Sequence, residues 1–98
     1  MLRARWADFT SRPAPDGLGD VAADVDVDLL VATASDCIDA YLATGLLSPR
    51  ENGALRACHI ELKRIVPRLD GERAAYLESL ANFAGQIMAR PNLPGFFG

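Results

Sequence analysis

The sequence predicts an all-α fold: a small three-helix antiparallel bundle with a short additional N-terminal helix. Three observations carry that expectation. Apolar residues recur at offsets of three and four along three long segments, the period of a helix that buries one face. Ser48-Pro49-Arg50-Glu51 is a complete helix-start signal. All six prolines stand at or beyond the ends of the periodic segments, where a missing N–H does least harm. A chain of 98 residues, half of them apolar, has room for one domain spanning residues 1–98 and a core of modest size.

Leu2, Trp6 and Phe9 share one side of a short first helix. Such a segment is too short to persist alone, so it must dock. Residues 10–22 read as a loop, because Pro13 and Pro15 disfavour helix and Gly17 permits a turn. The first long segment begins at Asp24 or Asp26 and runs to Thr44. Val21 to Leu29 alternates like a strand, but Val27, Leu30, Val31, Ala34, Cys37, Ile38, Tyr41 and Leu42 hold a helical period for longer, and the longer signal prevails. Asp24, Asp26 and Asp28 place negative charge beside the unpaired N–H groups of a helix start. Gly45 suits the left-handed residue that follows a last turn.

The second segment starts at the Ser48 cap and buries Leu55, Cys58, Leu62, Ile65 and Val66, until Pro67 forces a break near Val66. Asp70 is the expected cap of the third, whose stripe of Ala74, Leu77, Leu80, Ala81, Ala84, Ile87 and Met88 is widened by Tyr76 and Phe83. That breadth exceeds what one partner helix needs, so the segment lies between two helices or meets another subunit. Gly85 within it costs up to about 1 kcal/mol relative to Ala, which close helix approach would explain. Residues 91–98 form an apolar tail in which Phe96 and Phe97 require a groove, in their own chain or another.

Charge divides the chain. Residues 1–39 carry three basic and eight acidic side chains, whereas residues 40–98 carry seven and five. The net charge of −3 supplies no global field for nucleic acid or an anionic bilayer. Arg56, Lys63, Arg64, Arg68 and Arg73 make only a loose basic patch, and the helix that would enter a DNA groove spends Leu77, Leu80, Ala84, Ile87 and Met88 on packing. Nucleic acid and membrane are therefore not expected partners. Two cysteines make no disulfide framework, and with no signal-peptide pattern the expected location is cytoplasmic.

The chemical motifs are incomplete. Asp24, Asp26 and Asp28 match the first ligands of a calcium loop, but Leu29 and Ser35 stand where the loop needs Gly and Glu. Cys37, Cys58 and His59 are soft ligands without zinc-site spacing, so neither a metal nor a cofactor is expected. Phosphate-loop, dinucleotide and nucleophile-elbow signatures are missing, which leaves the catalytic set empty. In size, helicity and acidic first half the chain is similar to small helical immunity, inhibitor and adaptor proteins. That analogy implies a non-enzymatic protein–protein interaction module. Its expected basic partner would meet Asp24, Asp28, Asp36 and Asp39, and a homodimer would form through Tyr76, Phe83, Phe96 and Phe97. The alternative is an accessory subunit or a small metal-dependent enzyme whose site is assembled by oligomerisation.

Overall fold

Each of the three long periodic segments becomes a helix in the computed structural model, which describes residues 2–20, 22 and 24–89. Helix α1 covers Leu2–Ser11, α2 covers Val27–Thr44, α3 covers Pro49–Ile65 and α4 covers Gly71–Ala89. Single 3-10 turns stand at Leu18–Asp20 and Val66–Arg68. No strand occurs among the described residues, and of the alternating stretch before Leu29, Asp24 and Val25 form a turn and bend leading into α2, which begins at Val27.

Local chemistry fixes the boundaries. Asp26 caps α2 by accepting a hydrogen bond from the Leu29 N–H at 3.1 Å, and Gly45 ends the helix at φ 82° with its N–H on the Tyr41 carbonyl. At α3 the capping box is complete: the Glu51 N–H donates to Ser48 Oγ at 3.1 Å, and the Ser48 N–H donates to Glu51 Oε1 at 2.9 Å. Pro67 tightens the chain after Ile65 into the second 3-10 turn. The entry to α4 differs from expectation. Gly71 takes it at φ 72°, and the Asp70 carboxylate forms no capping hydrogen bond among the described residues.

Helices α2, α3 and α4 pack pairwise around Val27, Ile38, Leu55, Leu62, Ile65, Leu77 and Leu80, all essentially inaccessible to water. Helix α1 runs antiparallel to α2 and α4 and lies over the groove between them. Its Trp6 and Phe9 rings make the contact: Trp6 meets Phe83 edge-on at 5.0 Å, and Phe9 stacks on Tyr76 at 4.9 Å. An Arg3 guanidinium bond to the Leu42 carbonyl, and an Arg5 bond to Gln86 Oε1 at 3.0 Å, tie the helix on either side. The loop before α2 also contributes to the core, burying Leu18 and Ala22. Gly85 admits the His59 ring, since a Cβ there would stand 3.2 Å from His59 Nε2. No described helix is long and apolar enough to cross a membrane.

Candidate functional site

The four aspartates proposed from sequence are exposed but have unequal local roles. Asp24 is bridged to Arg64 at 3.1 Å, and Arg64 also holds Glu61 at 2.8 Å. A backbone hydrogen bond, reinforced by the Arg64 guanidinium, keeps the Asp24 carboxyl below its ordinary value. Asp39 accepts the indole N–H of Trp6 at 2.8 Å, so it anchors α1. The Asp28 carboxylate lies against Gly19, where a Cβ would come within 2.7 Å of Oδ2. Asp36 forms no ion pair among the described residues.

Helical periodicity joins Asp28 and Asp36 to a wider outer face of α2. At 100° per residue, Leu29, Ala32, Asp36 and Ala43 point away from the buried stripe of Val27, Leu30, Ala34 and Ile38. Leu29 is 62% exposed. The whole helix carries no Lys, Arg or Glu; its charged residues are Asp28, Asp36 and Asp39. The result is a face of small apolar side chains and one large one, flanked by carboxylates with no cation on the same helix.

The outer side of α3 has the opposite character. Ile60 is 58% exposed and lies between Arg56, one turn before it, and Lys63 and Arg64, one turn after. The longer basic patch does not hold together: Arg64 is engaged by Asp24 and Glu61, and Arg73 donates Nε–H to the Asp16 carbonyl at 2.8 Å. Leu29 and Ile60 both fall outside the apolar stripe of their own helix, and that signal was present in the sequence.

Phe83, expected on an open self-association face, is only 8% exposed and is covered within the chain by Trp6 and Phe9. Tyr76 is half-buried against Phe9, and burial raises its phenol above the usual value. Phe96 and Phe97 lie outside the described residues. The breadth of the α4 face is thus accounted for down to Phe83 by a fourth helix of the same chain.

The soft-ligand residues are not brought into one site. Cys37 and Cys58 are free, buried thiols, and Cys37 Sγ lies 3.6 Å from the Glu51 carbonyl. Burial raises both thiols; the Glu51 and Asp36 carboxylates add to the effect at Cys37, and the Cys37 thiol adds to it at Cys58. His59 faces Gly85 on α4. No group of three or more His, Cys, Asp or Glu among the described residues is arranged to hold a metal. An open cleft of about 530 Å³ lies between the proline loop and α4, with Phe9, Pro13, Pro15, Asp16, Glu72 and Tyr76 in its lining. Its walls include no histidine, cysteine or lysine.

No family model matches the chain, and neither curated proteins nor solved structures provide a match.

Proposed function

We propose that the chain is a non-enzymatic protein–protein interaction module of the inhibitor, immunity or adaptor kind, acting in the cytoplasm and binding a basic partner through the outer face of α2. The observation that carries this reading is Leu29, 62% exposed on a helix whose charged residues are all aspartates. An exposed Leu among small residues gives a partner helix an anchor to desolvate. Asp28 and Asp36 beside it favour cationic partners and speed their encounter. Asp39 adds to the negative field while holding Trp6, whereas the charge of Asp24 is offset by Arg64.

The test uses a labelled amphipathic peptide of Lys and Leu, followed by fluorescence anisotropy. Binding is expected at low ionic strength, weakening with salt and after Asp36→Lys or Leu29→Ser substitution. Failure of the monomeric chain to bind, or binding indifferent to both substitutions, would overturn the reading.

A further inference from the structure

We infer that a second copy of the chain fits this surface, α2 of each copy packing on α3 of the other about a twofold axis parallel to both helices. The inference rests on the outer face of α2 being a docking surface, and it adds the partner.

Register is the first argument. The Asp24–Arg64 bridge closes one end of the antiparallel α2/α3 pair, and the Cys37 contact with the Glu51 carbonyl fixes a level near the other. Counting inward from these contacts, Leu29 lies level with Ile60, and Asp36 lies level with the stretch between Arg50 and Arg56. Leu29 and Ile60 are the two most exposed large apolar side chains among the described residues. A twofold axis parallel to the helices preserves height, so it sets Leu29 of one copy on Ile60 of the partner subunit and repeats the contact in reverse.

Charge is the second argument. The same operation carries the Asp28 and Asp36 side of α2 onto the Arg56 and Lys63 side of α3. Carboxylate then meets cation on both halves of the interface. Gly53 has open space where a Cβ would stand, and Ala57 is exposed beside it, so backbone can approach closely between the charged flanks. A face carrying an acidic row and a basic row is self-complementary under this symmetry, while both rows remain on the outer surface of a single copy.

Sedimentation equilibrium of the full chain tests the inference. The wild type is expected to dimerise, and Asp36→Arg or Arg56→Asp alone to abolish the dimer with the circular dichroism melt retained. Mixing the two variants should restore it, because each mutated side chain then faces its opposite charge and both unmutated ones still pair. A monomeric wild type, a dimer that survives both reversals, or a mixture that stays monomeric would overturn it. Peptide capture is read on the Arg56→Asp variant, whose α2 is intact and uncovered: a monomeric wild type beside a variant that captures the Lys/Leu peptide would overturn self-pairing alone, whereas a variant that does not capture it would overturn the docking face as well.

Discussion

Trp6 donates its indole N–H to Asp39 Oδ1 at 2.8 Å, and this bond joins the first helix to the second. Trp6 is 4% exposed and is the single tryptophan of the chain, so its fluorescence reports the docking of α1. Trp6→Phe should cost about 0.5–1.5 kcal/mol, the net worth of a hydrogen bond. Trp6→Ala should cost about 3–5 kcal/mol and uncover Phe83. Urea unfolding measures both. Asp39→Lys should shift the tryptophan emission to the red; an unchanged spectrum would mean that α1 is held without this bond.

Gly85 and His59 form a second coupled pair. Gly85→Ala gains up to about 1 kcal/mol of helix propensity but presses a methyl against the imidazole. The gain should therefore appear in full only in a His59→Ala background, giving a non-zero interaction energy in a double-mutant cycle. Additive effects would contradict the contact.

Alkaline pH should weaken the fold through its buried thiols. Burial raises Cys37 and Cys58 in the folded state, so their stabilisation is fully present below the unfolded thiol value of about 8.5. As pH climbs past that value the unfolded thiols ionise first, and stability falls until the folded values are passed. Denaturation midpoints from neutral pH to mildly alkaline pH should show the decline, and a Cys37→Ala/Cys58→Ala chain should flatten it.

Leu62→Ala should cost about 2–5 kcal/mol, since the side chain is wholly buried between helices. Ser48→Ala should cost about 1 kcal/mol by leaving the Glu51 N–H without its acceptor. A Leu62→Ala change below about 0.5 kcal/mol would be the behaviour of a surface position and would contradict the packing.

The helices were legible because their signals are local. Ser48 and Glu51 satisfy each other's backbone across three residues, Gly45 supplies its positive φ, and the apolar stripes keep one period. Nonlocal contacts left less trace. Nothing in the spacing of Trp6 and Phe9 says that they cover Phe83, seventy-odd positions away, so the breadth of α4 read equally well as a subunit interface. Asp24 and Asp39 resembled free surface carboxylates because Arg64 and Trp6 reach them only in the folded chain. Gly71 took the role expected of Asp70 for a similar reason: the path from the 3-10 turn into α4 needs a left-handed residue, and that demand arises from how α3 and α4 meet.

The most direct measurement of the central claim is chemical-shift mapping of the isotope-labelled Arg56→Asp chain, in which α2 is intact and uncovered, during titration with the Lys/Leu peptide. The outer face of α2 should respond first and most strongly, at Leu29, Ala32 and Asp36, with the α4 side and the Phe9–Tyr76 cleft unperturbed. Shifts concentrated at that cleft, or none along α2 at low ionic strength, would contradict the account.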